Sequence, residues 1–267
     1  MIEIHGNKID NIVAFGCSYT AGSELLDYKI HPEADNIKKE KGLVYWKENY
    51  LNDDTGVKYR YEEQKLAWAG QVANELGLKF TGKAMGGSSL IWSVLELEKF
   101  ILSGEITPST LVLFGATSKE RALYFFERPR YQPTKSILLA SPQWWPNPKW
   151  DPKTVLDLYN DGTLILNHIM CLERLIQLSE QLNGRLKIFE VVRTLKFDEI
   201  DCKFSQSYKE LFQHKYNVVC QHENYYADKN LHELCSSRSD EHGGNHPKIH
   251  IHKLFADYVI SKLICTT

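Results

Sequence analysis

Three separated stretches of the chain carry residue types that can perform nucleophilic acyl chemistry. A serine attacks a carbonyl only if it is exposed at a turn, has a base within hydrogen-bond reach, and has amide donors for the oxygen that becomes negative. Ser18, in Phe15-Gly16-Cys17-Ser18-Tyr19-Thr20-Ala21-Gly22, follows a glycine at the end of an apolar run and opens a segment of small and hydroxyl residues. A strand-to-helix turn there lets the Ser18 N–H donate to an oxyanion with support from the helix dipole. Gly87, in Ala84-Met85-Gly86-Gly87-Ser88-Ser89, offers a second amide that substrate can approach without a Cβ in the way. His246, followed by Pro247 and a helical pattern, is a candidate base. Each residue also has a plainer use. Ser18 fits a helix N-cap, the glycines fit a tight turn, and His246 fits a surface position ahead of a proline.

The elements that must bring these residues together are legible as alternating patterns. Residues 11–16 form an apolar run ending in glycine, suited to a buried strand, and 68–77 have helical spacing with glycine at the C-terminal end. A strand at 78–81, a helix at 90–102, a strand at 110–115, a helix at 164–182, a strand at 185–192, a fifth strand at 216–220 and a last helix at 250–263 complete the series. Alternation of this kind predicts a parallel sheet with helices on both faces, whose sites lie beyond the strand C-termini. The polar turns after the first three strands all fall at that edge. The charged and aromatic residues 28–63 are expected to be an insertion or lid, and the aromatic residues 123–152 to form no regular element. The chain is expected to be one domain with these two insertions.

Composition narrows the classes further. The 267 residues include 32 Lys and Arg against 34 Asp and Glu, so no global basic field supports nucleic-acid binding. Apolar runs are far shorter than the roughly 20 residues that cross a bilayer, and the first residues lack the features of a secretory signal; the expectation is a cytoplasmic protein with no membrane partner. The six cysteines form no CxxC pair, and Cys17 reads as a small buried residue in preference to a reactive thiol. His242, His246, His250 and His252 invite a metal reading, but Pro247 starts the helix after His246 and no third ligand has a fixed spacing, so no metal and no cofactor are expected. Arg121 fits either an anionic substrate group or a helix cap. Oligomeric state is not encoded legibly.

The chain resembles the SGNH (GDSL-type) hydrolases, which are esterases, lipases and carbohydrate deacetylases. The family's Phe-Gly-Asp-Ser-x-Thr-x-Gly is similar to residues 15–22, its glycine block to 84–89, and its His-Pro with following helix to 246–256. The resemblance implies a three-layer α/β/α sandwich with a mainly parallel five-stranded, flavodoxin-like sheet, Ser18 as nucleophile, His246 as base, and Gly87, with Gly86 as the fallback, as oxyanion donor. Three positions depart from the pattern. Cys17 stands for the family's Asp, and Thr117, in Gly115-Ala116-Thr117-Ser118, stands for the Asn that would donate to the oxyanion, though its hydroxyl still offers one bond. Gly243 stands for the Asp three residues before the histidine, leaving Asp240, Glu241 or a backbone carbonyl to orient His246, or a Ser-His dyad.

The expected function is therefore cleavage of an ester or O-acyl group, in a small molecule or a glycan, through an acyl-enzyme. The same acyl-enzyme passed to a hydroxyl acceptor makes an O-acyltransferase. A binding or structural protein that keeps the fold without turnover is the reading from another class, since a fold alone does not prove activity.

Overall fold

The computed structural model describes residues 2–4, 6–23, 25–30, 33–41, 46, 49, 57–86, 88–119, 121–125, 134–138, 161–192, 206–236, 242–243 and 246–264. At Arg121–Phe125, Thr134–Leu138, His242–Gly243 and His246 the description is of the main chain alone. The chain opens with a small antiparallel pair, β1 (Ile2–Ile4) and β2 (Asn7–Ile9), that sequence reading does not anticipate. Next come β3 (Asn11–Gly16) and a run of helices, α1 (Ser18–Ala21), α2 (Leu25–Ile30), α3 (Ala34–Lys41), α4 (Val57–Leu66) and α5 (Trp68–Glu75). They are followed by β4 (Lys79–Gly82), α6 (Leu90–Leu102), β5 (Thr110–Ala116), β6 (Arg121–Phe125), β7 (Thr134–Leu138), α7 (Asp161–Gln181) and β8 (Leu186–Glu190). The last part contains α8 (Gln206–Cys220), β9 (Tyr225–Tyr226), α9 (Leu231–Ser236), β10 (His242–Gly243), β11 (His246–Pro247) and α10 (Ile249–Ile264).

Five strands form one parallel sheet in the order β4-β3-β5-β8-β9. Strand alternation divides the core in two. Ile12, Ala14, Leu111, Leu113 and Phe189 pack with Trp68 and Val72 of α5 and Ile251, Phe255 and Val259 of α10. Val13, Phe15, Val112, Phe114, Leu186 and Ile188 pack on the opposite face with Leu97 of α6 and Leu172 and Leu175 of α7. This is the expected three-layer α/β/α sandwich. In chain order the strands run 2-1-3-4-5, so the connections leave in opposite directions on either side of the β3–β5 pair, and a crevice opens above their C-terminal ends.

Some expectations are corrected. Residues 216–220 are the last turns of α8, with Phe212 and Val219 buried seven residues apart; the β-branched pair inside this run mimics a strand. The fifth strand is β9, only two residues long and so without a pattern of its own. The 123–152 stretch contains regular structure, since β6 and β7 pair antiparallel from Arg121↔Leu138 to Phe125↔Thr134. The 28–63 stretch, expected as an insertion or lid, is not corrected: its described residues include α3 and most of α4, and α4 packs on α5.

Two details fix the sheet edge. Glu190, buried at the end of β8, accepts hydrogen bonds from Tyr216 Oη at 2.7 Å and Tyr225 Oη at 2.5 Å, tying α8 and β9 to β8. Burial first, and the neighbouring carboxylate second, hold the Tyr225 phenol well above its ordinary range. At the heart of the sheet Gly16 and Gly115 are paired across β3 and β5, and Thr20 of α1 fills the space that two Cβ atoms would occupy. A methyl on Gly115 would come within 1.9 Å of Thr20 Oγ1; one on Gly16, at φ +147°, would lie 2.8 Å from the Gly115 carbonyl oxygen.

Gly115→Ala is therefore expected to destabilise the chain by about 2 kcal/mol or more, and Thr20→Ala in the same chain to recover a large part of that loss. Urea unfolding of the two single variants and the double variant measures the coupling; simple additivity would contradict it. A second prediction concerns His168, buried on the inner side of α7, whose pKa is lowered to about 3 by burial, with Lys119 adding to the effect. The unfolded chain binds this proton below about pH 6.5 and the folded chain does not until about pH 3, so stability falls as pH drops through that window. His168→Leu should flatten the pH dependence of unfolding there by up to about 1.4 kcal/mol per pH unit. Identical slopes in both proteins would contradict the assignment.

Candidate active site

The site is built on the exit of β3. Cys17 is the N-cap of α1, in extended conformation, and its side chain is fully buried in the core with Trp68 and Ala69. Ser18 is thus the first helical residue, not the cap. Against the expectation of an exposed serine, its side chain is only 4% exposed, because α1 seats directly on the strand ends through Thr20; its Oγ has no hydrogen-bond partner among the described residues. Ser89, at the comparable place before α6, does what a structural serine does: its Oγ accepts the Trp92 N–H at 3.2 Å. The two serines follow adjacent strands, yet one is committed to a helix end and the other to nothing. The Ser18 N–H, at the start of a helix, has no intrahelical acceptor. With only four residues in α1, its dipole is small, and any donation rests on the N–H itself.

The glycine turn after β4 is latched to the same strand end. The Gly16 carbonyl accepts from the Met85 N–H at 3.0 Å and from the Ser88 hydroxyl at 3.0 Å, while the Ser88 N–H closes a turn on the Met85 carbonyl at 3.1 Å. Gly86 lies inside that turn and is exposed. A methyl on Gly86 would be 4.0 Å from Ser18 Cβ and 3.1 Å from Ser23 Oγ, so the open face of this glycine looks onto Ser18. Gly87 lies outside the described residues, and Gly86 is the glycine whose approach to Ser18 is defined. Thr117 is buried directly beyond β5, across the β3–β5 crevice, where the Ala116 carbonyl accepts the Val191 N–H at 3.1 Å.

The C-terminal block reaches the same edge. β11 pairs with β10, Gly243 opposite His246 and His242 opposite Pro247, and its Cα atoms come within 8 Å of α1. The main chain of β11, which carries His246, is therefore beside the helix that Ser18 opens. Gly243, facing His246, has no side chain with which to orient it. Asp240 and Glu241 lie outside the described residues. Arg121 begins β6, four residues beyond Thr117; its side chain lies outside the description.

The other histidines separate cleanly. His250 is exposed, whereas His252 is fully buried and its Nδ1 accepts the Trp68 N–H at 3.1 Å, the first donor of α5. Among the described residues no group of three or more His, Cys, Asp or Glu side chains is arranged to hold a metal ion. Among the described helices none is long and apolar enough to cross a membrane. Sequence reasoning passed over Ser23 and Ser88. A hydroxyl residue just after Gly22, and one inside the glycine turn, were the available signals.

The contrast between the serines gives a measurable outcome. Ser18→Ala removes a buried hydroxyl without a partner among the described residues, so the midpoint of thermal unfolding is expected to stay the same or rise. Ser89→Ala removes a cap and should cost about 1 kcal/mol. A Ser18→Ala loss as large as that of Ser89→Ala would assign Ser18 a structural role.

No protein-family model and no curated protein matches the chain. Among solved structures it is similar to the psychrotrophic esterase EstA from Pseudoalteromonas sp., at 10% identity and TM-score 0.46, covering 95% of this chain and 96% of that one. It is also similar to a member of the lipolytic protein G-D-S-L family from Veillonella parvula, at 10% identity and TM-score 0.43, covering 94% and 96%. A third similar structure is the lipase/acylhydrolase from Enterococcus faecalis, at 12% identity and TM-score 0.40, covering 96% and 95%.

Proposed function

We propose that the chain is a serine hydrolase of SGNH type that cleaves an ester or O-acyl bond in a small molecule or a glycan. The observation that carries this reading is the state of Ser18: a buried hydroxyl without a partner among the described residues, at the end of β3 beside the β3–β5 crevice and next to the open face of Gly86. A buried hydroxyl without a partner costs roughly 1–3 kcal/mol, a cost that a packing role does not explain.

In the proposed reaction Ser18 Oγ forms a bond to the substrate carbonyl carbon and its proton passes to His246, while the carbonyl electron pair moves onto oxygen. The oxyanion takes hydrogen bonds from the N–H groups of Ser18 and of Gly87 or Gly86, with the Thr117 hydroxyl on the β5 side. Collapse of the adduct breaks the bond to the leaving alkoxide, which receives the proton from His246. Water then attacks the acyl-enzyme, with His246 again removing the proton, and Ser18 is released. Support for His246 is the course of β11 along α1. With glycine opposite His246, the orienting group is Asp240, Glu241 or a carbonyl of the loop, or the centre works as a dyad. Arg121, which begins β6 four residues after Thr117, is read as the partner of an anionic group of the substrate; its place at a strand start does not fit the helix cap.

A fluorophosphonate probe tests the reading without knowledge of the substrate. Ser18 is expected to be labelled, as read by mass spectrometry of the modified peptide, and labelling is expected to disappear in Ser18→Ala. His246→Ala should slow it by roughly 10²–10⁴-fold. A folded chain that leaves Ser18 unmodified would overturn the proposal.

A further inference from the structure

We propose that Ser23 is a further catalytic residue, a hydroxyl donor to the substrate oxyanion that adds a second side-chain hydrogen bond to that of the Thr117 hydroxyl. The inference rests on the reading of Ser18 as nucleophile.

Local geometry brings Ser23 back to the site. α1 has a single turn and ends at Gly22, whose φ of 67° is left-handed. Only glycine fits at this position, since a Cβ on residue 22 would lie 2.8 Å from Ala67 Cβ, 2.8 Å from Leu25 Cδ1 and 2.9 Å from the Glu63 carbonyl oxygen. A left-handed residue at this place folds the next one back over the helix, and the Ser23 N–H donates to the Ser18 carbonyl at 3.1 Å. Ser23 is five residues from Ser18 in sequence, but the two meet over one glycine: the point where a Gly86 side chain would begin is 3.1 Å from Ser23 Oγ and 4.0 Å from Ser18 Cβ. A Cβ at position 86 would fill this space, and glycine leaves it open to substrate.

The serines around this space divide by their bonds. Ser88 Oγ bonds to the Gly16 carbonyl, Ser93 Oγ to the Ser89 carbonyl, and Ser89 Oγ to the Trp92 N–H. Those three hold the turn and the start of α6. Ser23, half-buried, uses its N–H to close α1 and makes no side-chain hydrogen bond to a described residue, and neither does Ser18. Of the serines around this space, Ser18, whose Cβ borders the open face of Gly86, and Ser23, whose Oγ borders it, are thus the ones whose hydroxyls bond to no described residue. One attacks; the other donates a hydrogen bond to the oxygen on the tetrahedral carbon and keeps its proton throughout, so the proton balance between Ser18 and His246 is unchanged. Thr117, with a single hydroxyl donor, stands where the resemblance would place the asparagine, and Ser23 adds a donor from the α1 side to those of Ser18, the glycine turn and Thr117.

Steady-state hydrolysis of p-nitrophenyl acetate by the full chain tests this. Ser23→Ala is expected to lower kcat by roughly 10²-fold with KM changed by less than about threefold, because the bond strengthens only as charge develops. Ser23→Thr, which keeps the hydroxyl, should regain most of the loss, and thermal melts should show both variants folded. If Ser23→Ala does not fold, Ser23→Cys, similar in shape with a weaker donor, is read in the same way. A kcat within twofold of wild type, a change confined to KM, or a Thr variant no better than Ala overturns the assignment of Ser23 while leaving Ser18 in place. A wild-type chain that neither labels at Ser18 nor turns over the ester overturns the hydrolase reading and this inference together.

Discussion

The structure depends on the meeting of Gly16 and Gly115 at the ends of β3 and β5. With no Cβ on either residue, the two strands close under Thr20, and α1 sits directly on the sheet. That seat sets the depth of Ser18, two residues beyond Gly16. The same Gly16 carbonyl also anchors the Met85–Ser88 turn, so one peptide group fixes both the segment carrying the serine and the segment carrying the glycine. Position in a crevice at the strand exits then follows from topology, because connections leave the β3–β5 pair in opposite directions.

The hydrogen-bond pattern around this point separates bonded scaffold residues from hydroxyls that bond to no described residue. Ser88, Ser89 and Ser93 form a bonded group that holds the start of α6, and Glu190 with Tyr216 and Tyr225 locks the far edge of the sheet. Between these saturated clusters lies a small region where hydroxyls stay unbonded among the described residues.

Much of this was legible in the sequence because it depends on local rules. The apolar run of β3 ending in glycine, the helical spacing of α6 between Leu90 and Leu102, and the alternation of strands with helices follow from burial and periodicity. The order of the blocks around Ser18, Gly87 with Gly86 as fallback, and His246 follows from the resemblance to the SGNH hydrolases. What escaped depends on tertiary context. The Tyr216–Cys220 end of α8 has strand-like residues but is helical because Phe212 and Val219 lie on one buried face, and β9 is too short for any pattern. The β6–β7 pair was hidden by an aromatic composition without alternation. Ser23 went unnoticed because its approach to Gly86 comes from a left-handed turn at Gly22 packed against α2 and α4, and that contact is invisible along the chain.

The central claim is that Ser18, Gly86 and the His246 segment form one acyl-transfer centre. A crystal structure of the chain reacted with a phosphonate ester tests it most directly, because the tetrahedral phosphorus mimics the adduct. The account predicts phosphorus bonded to Ser18 Oγ, its charged oxygen within about 3.1 Å of the Ser18 N–H and of a donor in the Gly86–Gly87 turn, and a His246 ring nitrogen within about 3.2 Å of a phosphonate oxygen or Ser18 Oγ. An adduct on another residue, or one on Ser18 with its oxygen turned to solvent and His246 remote, would contradict it.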